Sequence, residues 1–373
     1  MNNIVTYAEK NLNPITLENF TSVDSLILSW MSYLHFPNSQ KDIHGWTGIR
    51  FSELFCAEYF PSMFEAIWDP ESTQRLFTAM VASPRYRNIQ ILGFTEETDI
   101  ITEKQFAAVT FQLTEQLCYI SFRGTDSTLV GWKEDFNMAF QYPIPSQESA
   151  VTYLSEASQH CSGYIKVGGH SKGGNLAVYA AANSTDEIRQ RIHKIYSHDG
   201  PGFLENVLHT ENFYSINSKI EKTLPQSSLV GMLLEQQEDF CIVKSKRLSV
   251  WQHDPFSWEI DDQNFCYLQQ LTPDARYLNR TLHLWICGLS IEERERFVDA
   301  LFAVVAINDA KTWKELLSDW QKNLPATVNA LTRLNPETKK FLLQTVKELI
   351  ALGIKCFPEI FHEDSKKLQS NLD

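Results

Sequence analysis

Long apolar runs are the first thing this sequence lacks. Nowhere do roughly 18 uncharged apolar residues follow one another, the length a helix needs to span a bilayer. The opening residues, MNNIVTYAEKNLNPITLENF, have neither the basic start, the apolar stretch nor the small-residue cleavage site of a secretory signal. A cytoplasmic location with no integral membrane span is the expectation. The seven cysteines (Cys56, Cys118, Cys161, Cys241, Cys266, Cys287, Cys356) are odd in number, scattered and never spaced as CxxC. That pattern argues for thiols in a reducing compartment and against a disulfide framework or a zinc site. HExxH is missing, as are GxGxxG and Walker A glycine loops, so neither a metal nor any other cofactor is expected. No basic stripe is present either: 46 acidic residues outweigh 33 basic ones, for a net charge of -13. Nucleic acid is therefore not an expected partner.

What remains is an ordinary globular composition, 43% hydrophobic and 12% aromatic over 373 residues, enough for one large core and a helical accessory layer. Three regions separate on pattern, with no linker, repeat or low-complexity tract between them. Residues 1–100 carry apolar side chains at helical spacing (Leu26, Trp30, Met31, Leu34, then Phe60, Phe64, Trp68) and read as helical cover. Residues 101–265 alternate short β-rich runs with helices: FAAVTFQL, LCYISF, YIKVGG, KIYSHDG, FYSIN and FCIVKS. Such alternation predicts a mostly parallel sheet covered on both faces, with the first two runs as a hairpin at its edge. Residues 266–373 read as accessory helices, one opened by a Ser290/Glu293 capping box and another by Asn335 before Pro336.

The most informative stretch is YIKVGGHSKGGNLAVYAAA, residues 164–182. A short strand runs through Gly169-His170-Ser171-Lys172-Gly173 into a helix, the strand-turn-helix context that a GxSxG nucleophile elbow requires. Ser171 is the expected nucleophile, and the backbone N–H of Lys172 is the expected oxyanion-hole donor that follows it. The side chains of His170 and Lys172 are expected to point away, toward packing or solvent. A serine hydroxyl also needs a base, and in α/β-hydrolases the chain order is nucleophile, acid, histidine. His253, in the loop after FCIVKS, fits that order better than His198, His209 or His283.

Upstream, Phe122-Arg123-Gly124-Thr125-Asp126-Ser127 is followed by Trp132 and Asp135. This FRGTDS with a following WxxD resembles the strand-loop segment of the class 3 lipases. The resemblance implies that Thr125 supplies a second oxyanion donor, and His253 matches the catalytic histidine of that pattern. The whole layout from about residue 13 to 260, with NPITLENFTSVDSLILSWMSYLHF, SSLVGMLL and WQHDPFSW, is similar to the Mbeg1-like (DUF2974) family of lipase-like bacterial proteins.

The acid is where the patterns disagree. Class 3 lipases place it after the next strand, but PQSSLV at residues 225–230 holds no carboxylate. The pancreatic-type lipases place it after the strand that follows the elbow helix, and HDGPG here puts Asp199 there. Asp199 is the expected acid, with Asp254 or no acid at all as the alternatives. The chain thus reads as an α/β-hydrolase fold and a serine hydrolase of carboxylic esters or thioesters, acting on a small acyl ester or lipid-like substrate. The rivals are a hydrolase-fold binding or scaffold protein without turnover, and an acyltransferase.

Overall fold

Strand LCYISF is buried along its whole length, and its side chains alternate between two cores. Leu117 and Tyr119 pack into one hydrophobic cluster while Cys118, Ile120 and Phe122 pack into the other. A strand with no solvated face must lie inside a sheet that is covered on both sides. The computed structural model, which describes residues 2–126, 128–235, 239–306 and 335–370, shows that arrangement. Its strands are β1 (Ile49–Arg50), β2 (Gln90–Asp99), β3 (Lys104–Thr114), β4 (Leu117–Phe122), β5 (Tyr164–His170), β6 (Ile192–His198), β7 (Ile220–Pro225), β8 (Phe240–Val243), β9 (Ile260–Asp261), β10 (Asn264–Phe265) and β11 (Tyr267–Leu268). Nine form one sheet in the order β1-β2-β3-β4-β5-β6-β7-β8-β11, and β9 pairs with β10 separately. The run β4 to β8 is parallel, with antiparallel pairs on either side. This is an α/β-hydrolase fold.

Each parallel strand lies beside its successor, so right-handed crossovers place the intervening helices on one face. Those helices are Pro145–His160, Lys172–Ala182 and Glu211–Ile216, and their apolar residues fill the second core. The opposite face is closed by the N-terminal helices, chiefly Ile4–Lys10 and Ser22–Met31. Asp24, in the capping box that opens the latter, receives a bidentate pair from buried Arg85 at 2.8 and 2.6 Å, which ties the cover to the segment leading into β2.

Three sequence expectations need correction. The sheet starts earlier than expected, because β1 and β2 lie within residues 1–100. In β2 only ILGF is apolar, and the polar TEETD that follows masks the strand. The β3–β4 hairpin forms but lies inside the sheet, since β2 and β1 continue beyond it. FYSIN is not a strand: Phe213 and Ile216 are buried at i,i+3 spacing in the helix Glu211–Ile216, and the strand is the following IEKTLP.

The C-terminal region opens on strand β11, a departure from the helices expected from residue 266, and is then helical where described: Pro273–Cys287, Ile291–Ala306 and Pro336–Ser370, with residues 307–334 and 371–373 of the expected region outside the described ones. Both expected caps form, Glu293 N–H donating to Ser290 Oγ at 3.2 Å and Thr338 N–H to Asn335 Oδ1 at 2.7 Å. Ile291–Ala306 packs on the helix Leu129–Asn137, with the Phe136 and Phe302 rings 5.6 Å apart and Lys133 paired to Asp299 at 3.0 Å. Among the described residues no helix is long and apolar enough to cross a membrane.

Candidate active site

Ser171 sits between β5 and the helix Lys172–Ala182 with φ 59° and ψ −135°, outside the regions an L-residue ordinarily occupies. Holding it there costs about 1–3 kcal/mol, and the neighbours dictate the conformation. A Cβ at Gly169 would collide with Gly173, and one at Gly173 would collide with the carbonyl of Phe122 at the end of β4. Only glycine at both positions lets the turn close this tightly against the neighbouring strand. The Ser171 N–H is held by the His198 carbonyl at 2.9 Å, leaving the side chain at the mouth of the helix.

His253 lies in a short 3-10 turn after β8, with its side chain about a quarter exposed. Its Nδ1 is 2.6 Å from Oδ2 of Asp199, which follows β6 and is buried. A carboxylate can only accept, so Nδ1 carries the proton and Nε2 is left as the basic nitrogen. The other carboxylate oxygen of Asp199 accepts from Ser228 Oγ at 2.5 Å and from Gly231 N–H at 3.1 Å. PQSSLV thus supplies no acid but holds one in place. Asp254 does not meet His253: its Oδ1 takes the Phe256 N–H at 3.0 Å, and it pairs with Arg247 at 2.9 Å.

The rival histidine His198 is fully buried between Thr223 Oγ1 (2.7 Å) and Ser25 Oγ (2.9 Å), and burial pushes its pKa down to about 3. It is a neutral core residue. His283 and His209 lie elsewhere, paired with Glu235 and Tyr214.

Thr125 follows β4, and its hydroxyl donates to both oxygens of Asp135 at 2.6 Å. Burial pushes the Asp135 carboxyl up to about 6 against the attraction of Lys172. The Lys172 side chain departs from the solvent or packing role expected of it. It is fully buried and pairs with Glu134 at 2.7 Å while donating to the Gln105 carbonyl at 2.9 Å. Glu134 also accepts from the Gln105 N–H, the Ser146 N–H and the Ser146 hydroxyl, so its charge is compensated on all sides. Adjacent residues of one helix, Glu134 and Asp135, therefore fix the helix start that carries Lys172 and the loop that carries Thr125. As the first residue of its helix, Lys172 has no intrahelical partner for its N–H.

Sequence reasoning left His170 to packing or solvent without foreseeing its partner, and did not single out Tyr33. His170 is buried, and its Nε2 is 2.9 Å from the backbone carbonyl of His253, the two rings lying 4.5 Å apart. A carbonyl acceptor requires Nε2–H, and burial together with the neighbouring His253 and His198 holds the ring far below its usual pKa, hence neutral. The residue before Ser171 thus anchors the loop that carries His253. Tyr33, at the end of the N-terminal cover, brings its hydroxyl to the same place: a Cβ at Gly124 would strike it and would lie 3.0 Å from Ser171 Cβ. The only sequence signal for Tyr33 was an aromatic at the end of an apolar helix, which is ordinary core spacing.

Similar solved structures include a fungal lipase in complex with an inhibitor (16% identity, TM-score 0.36, 65% of this chain and 79% of that chain covered). The Rhizomucor miehei lipase propeptide complex has 16% identity and a TM-score of 0.33, with 65% and 81% covered. For M37 lipase the values are 18% and 0.33, with 57% and 70% covered. No curated protein matches the chain. The model of one family, described as Mbeg1-like, matches residues 80–303, a span that starts ahead of β2 and takes in Thr125, Ser171, Asp199 and His253, and the chain belongs to that family.

Proposed function

We propose that this protein is a serine hydrolase that cleaves carboxylic esters or thioesters through an acyl-enzyme. Ser171 attacks the acyl carbon, and His253 Nε2 takes its proton and returns it to the leaving alcohol or thiol. Asp199 holds the imidazole in the Nδ1–H tautomer and stabilises the imidazolium. The N–H groups of Thr125 and Lys172 stabilise the charge that develops on the carbonyl oxygen, joined by the Thr125 hydroxyl when Asp135 releases the threonine proton. The observation that carries this reading is the 2.6 Å contact between His253 and Asp199, two residues far apart in the chain, beside a strained serine elbow. Exposed Trp68 and Trp251, with rings 6.1 Å apart next to the His253 turn, and the neighbouring Leu248 and Val250 offer an apolar border that suits an acyl chain.

The test is turnover of a p-nitrophenyl ester series from acetate to palmitate by the full chain. A saturable, chain-length-dependent rate supports the proposal. A protein that binds the esters without releasing p-nitrophenol would be a binding module on this fold, and release only in the presence of an acceptor alcohol would mark an acyltransferase.

One consequence concerns Thr125 and Asp135. Below pH about 6, Asp135 is protonated and can donate to Thr125 Oγ1, which frees the threonine proton for the oxyanion. Above that pH the carboxylate claims the proton for itself. Thr125→Val, which keeps the backbone N–H, should therefore lower kcat by up to ~10²-fold at pH well below 6 and by less above it, with KM little changed. An effect confined to KM would reduce Thr125 to a turn residue. The raised carboxyl also contributes stability that is complete below its ordinary value of 3.8 and lost as pH rises through about 6. Relative to wild type, Asp135→Asn should thus gain stability across that window.

A further inference from the structure

Outside the Ser171 site, the loop between β7 and β8 reaches the C-terminal helix Pro273–Cys287. Ser228 and Gly231 at the start of this loop hold Asp199, and Glu235 further along exchanges two backbone hydrogen bonds of 3.0 Å with Phe203. Facing Glu235 are His283 and Cys287, four residues apart and so on one side of their helix. Glu235 Oε1 lies 3.3 Å from His283 Nδ1 and 3.9 Å from Cys287 Sγ, and the sulfur lies 3.7 Å from His283 Nε2. The three border a cavity of about 90 Å³ shared with Glu205 and Arg294.

We propose that Glu235, His283 and Cys287 bind a Zn²⁺ ion, with water as the fourth ligand. Tetrahedral bonds of about 2.0–2.3 Å place ligand atoms about 3.3–3.8 Å apart, and the three side chains already stand near that spacing, so a small rotation of the ring presents one nitrogen to a shared ion. Imidazole, thiolate and carboxylate together form a borderline-soft donor set, which selects against Mg²⁺ and Ca²⁺. Thiolate and carboxylate also balance the double charge of the ion. Sequence motifs could not reveal the cluster, because one ligand comes from a loop nearly fifty residues before the helical pair. An ion here would fasten the Asp199-supporting loop to the accessory helix.

The test uses the full chain, stripped with chelator and titrated with Co²⁺ and then Zn²⁺. One Co²⁺ per chain is expected, with tetrahedral d–d bands and a thiolate-to-cobalt charge-transfer band that Zn²⁺ abolishes by displacement. Cys287→Ser should lose the charge-transfer band, and His283→Ala and Glu235→Gln should weaken binding at least tenfold. Cys241→Ser, which alters an exposed thiol elsewhere, should bind as wild type does. Saturating Zn²⁺ should also raise the thermal midpoint of wild type and leave that of Cys287→Ser unmoved. Absence of stoichiometric binding by the wild-type chain, or a charge-transfer band that survives Cys287→Ser, would overturn the proposal whether or not every variant folds.

Discussion

Replacing Ser171 with alanine is expected to abolish labelling by a fluorophosphonate probe and to lower ester turnover by ~10⁶-fold, the scale on which a serine-histidine-aspartate unit fails when its nucleophile is removed. Only a serine with an adjacent base and an oxyanion site attacks phosphorus readily, so labelling reports the assembled site and not the presence of a hydroxyl. The substitution should spare the fold. Alanine pays the same backbone cost as serine at φ 59°, the Ser171 N–H keeps its bond to His198, and no side-chain hydrogen bond of Ser171 caps the helix. An unchanged thermal midpoint alongside lost labelling locates the effect in chemistry. Labelling that persists in Ser171→Ala would falsify the nucleophile assignment.

Asp199→Asn is expected to lower kcat at neutral pH by up to ~10⁴-fold, and the surroundings of Asp199 indicate why. Its Oδ1 receives the Gly231 N–H and the Ser228 hydroxyl, while Oδ2 faces His253 Nδ1. In asparagine the amide oxygen must stay toward Gly231, because turning the amide nitrogen there would set two N–H groups against each other. The amide nitrogen then faces His253 and donates to Nδ1, forcing the proton onto Nε2. Such an imidazole has no lone pair to offer Ser171. Asp254→Asn is the control, since Asp254 serves Phe256 and Arg247 and should leave kcat within a few-fold of wild type. The reverse outcome, near-native turnover in Asp199→Asn and loss in Asp254→Asn, would exchange the two roles.

Much of this site was legible because it is written locally. The elbow is a run of five residues whose glycines are demanded by contacts with β4, and a strand before it and a small-residue helix after it are visible in the same nineteen letters. Asp199 and His253 could be anticipated from chain order, since each follows a strand of the parallel run. Partnerships made across the fold were another matter. Lys172 could be assigned only to packing or solvent because nothing in its neighbourhood names Glu134, and the two meet only when the Leu129–Asn137 helix docks beside the elbow. The bond from His170 to the His253 carbonyl involves a backbone atom and leaves no trace in residue type. FYSIN has the composition of a strand, yet its burial at every third residue belongs to a helix, and five residues are too few to separate the two periods. In β2 the charged second half concealed a strand whose first half alone is buried.

The lengths of the outermost strands bear on how the molecule behaves in company. A nine-stranded sheet presents two borders at which a second chain could add its own strand, and long flat borders of that kind seed aggregation. Here each border strand, Ile49–Arg50 and Tyr267–Leu268, is two residues long. Where β2 extends past its short neighbour it carries charged side chains, Glu96 paired with Arg123 at 2.7 Å and Glu97 with Lys104 at 2.6 Å, followed by Asp99, so an approaching strand would have to desolvate charge. A concentrated solution should therefore resist edge-to-edge association at both ends of the sheet.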